Sequence, residues 1–160
     1  MKLKSIGVIR TPFKEQPGTP IQGIYSEEAE GKIELLPEYA DGLQDLAGFD
    51  RVWLVYWMDR AAKAKLKVTP YRDTQERGIF ATRAPSRPNP IGLSCVRVTG
   101  ISGNVISIRD VDMLDGTPLL DIKPYMPEFD SYPESKAGWF DERRAERTHA
   151  DGRFSGRVDT

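Results

Sequence analysis

The chain has one cysteine, Cys95, and one histidine, His149, in 160 residues. A lone cysteine cannot close an intramolecular disulfide, so the fold must rest on a buried core, which this length can supply in a single domain. The two side chains lie far apart in sequence, which excludes structural zinc, and no metal is expected. A Cys-His nucleophilic pair is equally unsupported: Cys95 sits inside a strand-like segment as a small hydrophobe and His149 in a polar stretch as a solvated imidazole. No apolar run approaches the ~20 residues of a membrane helix, and the longest, Val52–Met58, has strand length. Met1–Arg10 is too short and too polar for a signal peptide, which with the cysteine usage points to a cytoplasmic protein away from membranes. Neither a G-x-G-x-x-G turn nor a Walker-type Gly-Lys-Ser/Thr loop is present, so a nucleotide-bearing cofactor needs another architecture.

A formal net charge of −1 and a pI near 5.9 give no global field able to capture a polyanion. The charge is unevenly spread. Residues 59–90 carry eight Lys or Arg against three Asp or Glu, including Arg60, Arg72, Arg77, Arg83 and Arg87. That stretch is either a solvated loop or a local seat for phosphates.

What is abundant is short apolar segments rich in β-branched and aromatic residues, bounded by Gly, Pro, Asn or Asp. They predict strands near Lys4–Arg10, Lys32–Leu36, Val52–Met58, Gly78–Ala81, Ser94–Ile101, Val105–Val111 and Leu119–Ile122. Ser102-Gly103-Asn104 supplies a hairpin turn between two of them. Val52–Met58 is apolar on both faces, so it is expected in the middle of a sheet or between subunits, with Trp53 in the core. One short helix is expected over Tyr39–Leu46, stopped at Gly48. The pattern is that of a mostly β protein: a small β-barrel of short strands with one or two short helices, spanning 1–132, and an irregular C-terminal extension over 133–160. Trp139 and Phe140 are its candidate anchors; Asp141–Thr160 has the composition of an arm or a disordered tail.

Two loops carry the functional signal. Ala81–Ser94 contains three prolines, each fixing its own φ and restricting the residue before it, so Arg83 and Arg87 are offered at nearly fixed positions. Gly92 is expected either to take a backbone conformation closed to other residues or to let a ligand approach. A rigid structural corner is the competing reading. In the second loop, Asp112–Tyr125, the Asp115-Gly116-Thr117-Pro118 turn leads into a strand expected to alternate Leu119, Asp121 and Lys123 against Leu120 and Ile122. Asp121 and Lys123 then either enter a cavity or form an ordinary exposed pair. Pro17–Gly23 is a third, weaker loop.

The blocks Gly78-Ile79-Phe80-Ala81-Thr82-Arg83, Arg87-Pro88-Asn89-Pro90-Ile91-Gly92-Leu93-Ser94, Leu114-Asp115-Gly116-Thr117-Pro118 and Asp121-Ile122-Lys123-Pro124-Tyr125 together resemble the TsaA-like (TrmO-type) family. Ile6–Arg10 with Pro12, and Phe49 with Trp53, extend the likeness over about residues 4–130. The resemblance implies a β-barrel, usually homodimeric, that binds S-adenosylmethionine and methylates N6 of threonylcarbamoyl-adenosine beside the tRNA anticodon. By position it implies cofactor contacts at Pro20, Ile21 and Gln22; at Asp59 and Arg60; at Arg83 and Leu93; and at Asp112, Met113, Leu114 and Asp115. Asp59-Arg60 stands where bacterial members carry His-Gln, and those members' further C-terminal domain is not expected here.

Transfer from a sulfonium is an in-line displacement that asks chiefly for alignment and exclusion of water. Arg83 and Asp112–Asp115 are expected to orient the donor. Asp121, Lys123 and Tyr125 are expected on the acceptor side as the catalytic set that manages the proton lost from nitrogen. A small-molecule methyltransferase on the same barrel and a non-catalytic nucleic-acid or metabolite-binding module are the alternatives.

Overall fold

Alternation along β3 (Arg51–Trp57) sets the barrel wall: Val52, Leu54 and Tyr56 are buried, while Arg51, Trp53, Val55 and Trp57 are half-buried on the outside. The computed structural model describes residues 1–142 and 145–156. Six antiparallel strands close in the order β1 (Gly7–Arg10), β2 (Glu30–Leu35), β7 (Val105–Arg109), β6 (Ile91–Ser102), β3 and β8 (Thr117–Pro124). Ile9, Ile33, Leu54, Val96, Ile106, Ile108 and Leu119 fill the interior. Closure leaves none of these strands with an open edge. The hairpin between β6 and β7 turns at Gly103, whose φ of 60° is left-handed. No described helix is long and apolar enough to cross a membrane.

The structure corrects four local expectations. Trp53 is not a core residue; it stands on the outer face, edge-on to Tyr125 with ring centroids 5.8 Å apart. Tyr39–Leu46 does not form an α-helix; Pro37–Leu43 is a 3-10 turn, since one apolar contact through Leu43 is too little to pack a longer element. Gly78–Ala81 is only half a strand: β5 (Arg77–Gly78) pairs with β4 (Lys67–Val68) and then Ile79–Ala81 coils into a 3-10 turn that leaves Phe80 exposed. In β8 a bulge between Leu119 and Asp121 breaks the simple alternation, so Leu119 and Ile122 both face inward opposite Tyr56 and Leu54, and Asp121 and Lys123 face out.

The 59–90 excursion has its own small core of Val68, Ile79, Ala84 and Phe154, with Tyr71 edge-on to Phe154. Phe154 comes from the extension. After α1 (Pro127–Asp130), the chain places Trp139 and Phe140 in a 3-10 turn, and the Trp139 Nε1–H donates to the Ala81 carbonyl at 2.7 Å. Residues 145–156 are irregular but docked. The N–H groups of Ile21 and Gly18 donate to the carbonyls of Thr148 and Ala150, and Ala62 N–H donates to the Phe154 carbonyl. Residues 143, 144 and 157–160 of the expected arm lie outside the described residues.

Candidate functional site

The first loop is stiff for a reason beyond its prolines. Arg87 turns back into the loop, its Nη1 donating to the carbonyls of Thr82 at 2.7 Å and Ile79 at 3.1 Å, so it braces the loop rather than offering a free cation. Arg83 is the guanidinium left for recognition: its Nη1 donates to Gln22 Oε1 at 2.8 Å across to the Pro17–Gly23 loop. Gly92 lines the cavity between these loops, but it does not take the special backbone conformation that was one of its two expected uses. Its φ is not left-handed, and a Cβ there would lie 2.1 Å from the Tyr56 ring, so the glycine makes room for a core tyrosine.

Between these loops lies a cavity of about 1390 Å³. Pro20, Ile21, Gln22, Asp59, Arg60, Arg83, Leu93, Asp112, Met113 and Leu114 all line it, together with aromatic residues such as Tyr71 and Phe80. The two motifs thus share one cavity within a single chain. Trp139 and Phe140 from the extension also reach its rim.

Asp115 is not on this cavity. Its carboxylate faces the opposite side, accepting from Thr11 N–H at 3.1 Å and pairing with Lys14 at 2.7 Å, and these bonds hold its carboxyl below the usual carboxylate range. Only its carbonyl serves the site, accepting from Arg60 Nη2 at 2.8 Å. The turn is closed by Gly116 at φ 80°. Asp121 and Lys123 pair with each other at 3.0 Å on the exposed outer face and do not line the cavity. Tyr125 is likewise outside it and meets two residues that line the wall, Trp53 through its ring and Arg51 through its N–H, which donates to the Arg51 carbonyl at 3.0 Å.

Sequence reasoning missed one arrangement. Ser94 and Asp112, eighteen positions apart, meet where β6 passes the second loop, and Ser94 Oγ lies 2.6 Å from Asp112 Oδ1. Tyr56 Oη lies 2.9 Å from Ser94 Oγ. A serine has one proton; it points to the carboxylate, so the Tyr56 hydroxyl donates to the serine oxygen. Burial, followed by the nearby Asp112 charge, pushes the Tyr56 phenol far above its ordinary range, which keeps it a donor. Burial also pushes the Asp112 carboxyl up to about 6, against the opposing hydrogen bonds from Ser94 and the Gly23 backbone. The signal that could have flagged Ser94 is its place as the last residue of the first motif, at the inward-facing register of β6 beside Leu54.

A closed antiparallel barrel whose loops gather an arginine, a half-buried carboxylate and apolar walls around one cavity defines a small-ligand-binding barrel rather than a Rossmann-type nucleotide fold. Residues 8–131 match the tRNA-methyltransferase O N-terminal domain, and the chain belongs to that family. It is 48% identical over 130 residues to the S-adenosyl-L-methionine-binding protein of Archaeoglobus fulgidus, covering 81% of this chain and 93% of that one. It is 33% identical to the tRNA (adenine(37)-N6)-methyltransferase of Escherichia coli over 86% of this chain. The crystal structure of TrmO from Pseudomonas aeruginosa superposes with a TM-score of 0.76 at 36% identity over 89% of this chain. The chain spans 63% of the Escherichia coli enzyme and 64% of the Pseudomonas aeruginosa chain.

Proposed function

We propose that the protein is an S-adenosylmethionine-dependent methyltransferase that modifies N6 of threonylcarbamoyl-adenosine at position 37 of tRNA, in the cytoplasm. The observation that carries this reading is the single cavity shared by Arg83 and Asp112. Its residues fit the donor: a zwitterionic amino acid bearing a further sulfonium needs both a cation and an anion, and Asp112 has no basic ion-pair partner among the described residues. Leu93, Met113 and Leu114 supply apolar wall for an adenosine. When bound, the donor supplies an electrophilic methyl group and a neutral thioether leaving group.

The protein's part is alignment and proton handling. The Arg83–Gln22 bond fixes one side of the cavity against the other, and Arg60 ties its end to the Asp115-Gly116 turn through the Asp115 carbonyl and Thr117. We place the acceptor near Leu93 and the outer face. There Asp121, Val55 and Leu93 form one row across three strands, and Lys123, Trp53 and Cys95 the next. With Trp57 and Ile91 this face is apolar at its centre, the composition of a homodimer contact. A two-fold contact on this face would carry Asp121, Lys123 and Tyr125 of the partner subunit toward a cavity edged by Leu93, where one of them takes the proton from N6. The basic residues of 59–90 hold RNA phosphates without reading sequence.

Incubation with methyl-labelled S-adenosylmethionine and bulk tRNA, followed by digestion to nucleosides, tests the reading. Label in the N6-methylated threonylcarbamoyl-adenosine is the expected result; donor binding with no label in any nucleoside would redirect the search to a small-molecule acceptor, whose binding would not weaken with salt.

A further inference from the structure

The methyl donor carries one carboxylate, and the proposed acceptor carries another: the threonine joined to N6 through the carbamoyl group keeps its own carboxyl, ionised at neutral pH. A site that holds both needs two cations that the protein has not already neutralised. Six described arginines line the cavity. Arg51 and Arg97 pair with Asp110 at 2.9 and 3.6 Å, and Arg60 pairs with Asp59 at 3.4 Å while donating to the Asp115 carbonyl. Arg87 is turned onto the carbonyls of its own loop. Two remain: Arg83, bonded to the neutral Gln22, and Arg72.

Arg72 is the less satisfied of the two. It is half-buried, no described carboxylate lies within ion-pair distance of it, and its Nε is buried without a hydrogen-bond partner among the described residues. Asp73, the next residue, is buried and turns away, pairing with Arg77 at 2.6 Å and accepting from the N–H groups of Thr74 and Gln75. Arg72 Nη1 donates to the Tyr25 hydroxyl. The rings of Tyr25 and Phe140 lie 5.4 and 5.5 Å from its guanidinium carbon. Tyr25 ends the Gly23–Tyr25 turn and Phe140 belongs to the extension, so ring contacts from two separate elements fix where the guanidinium sits. Rings attract a cation without neutralising it. A partly desolvated guanidinium with no anion is held at a cost unless a ligand supplies one. Beside Phe140 at the cavity rim, Arg72 stands where an acceptor arrives from outside, apart from the two motif loops that hold the donor.

We propose that Arg72 determines acceptor specificity: its guanidinium pairs with the carboxylate of the threonylcarbamoyl group, whose parent base lies near Leu93 in the same cavity. This deepens the acceptor reading above and rests on it. It sets Arg72 apart from the other basic residues of 59–90, which meet phosphates. A planar guanidinium held in place matches a carboxylate with two donors at once, and little freedom is left to lose on binding. Unmodified adenosine brings no anion, so it leaves this charge unpaired in the occupied site and is rejected, as a site built for a polar group rejects the analogue that lacks it.

The test compares two tRNAs assembled by ligation, one with threonylcarbamoyl-adenosine at position 37 and one with its threonine carboxyl converted to the neutral carboxamide. Transfer from methyl-labelled S-adenosylmethionine gives kcat/KM for each. The wild type should favour the free acid by roughly ten- to a hundredfold, the range of a charge-assisted pair. Arg72→Gln should lose most of that preference by slowing transfer to the free acid alone. Arg72→Lys keeps the charge without the fork and should keep part of the preference; it carries the comparison if Arg72→Gln does not fold. Donor affinity in calorimetry should be the same in all three proteins. A merely structural role, holding Tyr25 to Phe140, or a phosphate contact would slow both tRNAs alike and leave the preference intact, and either result overturns the proposal. So does a wild type indifferent to the carboxamide, or a loss of donor affinity in the variants with the preference unchanged, which would give Arg72 to the donor. Wild-type protein that binds the donor and methylates neither tRNA overturns the acceptor reading itself, and this proposal with it.

Discussion

Replacing Phe154 with alanine should release the C-terminal extension from the cavity loops while leaving the barrel folded. Phe154 is 4% exposed, the one described residue of the extension inside a core, and it is shared with Val68, Ile79 and Ala84 beneath the arginine loop. Truncating a buried phenylalanine costs about 3–5 kcal/mol. The extension otherwise holds by hydrogen bonds at exposed or half-exposed positions: from side chains, Trp139 Nε1–H to the Ala81 carbonyl at 2.7 Å, Arg153 to the Pro70 carbonyl at 3.2 Å and Ser155 Oγ–H to Gln16 at 2.9 Å, and from the backbone, Ala150 N–H to the Thr19 carbonyl at 2.7 Å and Gly156 N–H to the Arg60 carbonyl at 2.9 Å. Such bonds contribute on the order of 1 kcal/mol each, which does not offset ordering the chain that makes them. Native-state hydrogen exchange reads the outcome. A loss of ~3 kcal/mol in local opening accelerates exchange roughly a hundredfold at Gly18, Ile21, Ala62 and Ala150, whose N–H groups bond between the extension and the loops or belong to it. The amides of Leu54 and Ile106, inside the barrel, should be unchanged. Because the released loops include Pro20–Gln22 and Asp59–Arg60, donor affinity should fall with them. Equal acceleration in the barrel would show that the extension is part of the barrel's cooperative unit; unchanged exchange at Ile21 and Ala62 would show that Phe154 does not hold it.

Arg83→Ala should weaken S-adenosylmethionine binding by roughly ten- to a hundredfold, the range of one charge-assisted hydrogen bond, in calorimetry, with the melting temperature unchanged. Gly92→Ala forces a methyl into the Tyr56 ring and should destabilise the barrel by about 1–3 kcal/mol in urea unfolding. Asp121→Ala and Lys123→Ala remove an exposed pair, so stability should move little; methyl transfer to tRNA should drop, and with it the dimer fraction in sedimentation should be measured to separate catalysis from assembly. Arg153, through its hydrogen bonds, holds the Asp151 carboxyl down at about 2. A depressed carboxyl contributes stability above its unfolded value near 4 that is lost as pH falls through the folded one, so protection of Ala150 should be full at pH 5 and decline toward pH 2.

Part of the barrel was legible from alternation: β2 and β7 put Ile33 and Leu35, and Ile106 and Ile108, inward at every second position, and the Ser102-Gly103-Asn104 turn marks the hairpin of β6 with β7. The bulge after Leu119 was not, since one extra residue flips every later side chain and nothing in Leu119-Leu120-Asp121 marks which residue is extra. That single slip decides where Asp121 and Lys123 point. Trp53 was misplaced because a strand apolar on both faces reads alike whether its second face is core or an outer surface. The two site loops were legible as stiff and polar, and their meeting in one cavity follows from β6 and β8 flanking β3. The Ser94–Asp112 contact was not, because it depends on the register of two segments eighteen residues apart. Nor was the seating of the extension, since a lone Phe154 among polar residues carries no periodicity.

A crystal structure of the protein with S-adenosylhomocysteine bound tests the central claim most directly. The ligand should lie between Arg83 and Asp112, against Leu93 and Met113, with the Pro20–Gln22 loop on its other side. A ligand seated elsewhere on the barrel, with Arg83 still bonded only to Gln22 and Asp112 only to Ser94 and Gly23, would contradict it.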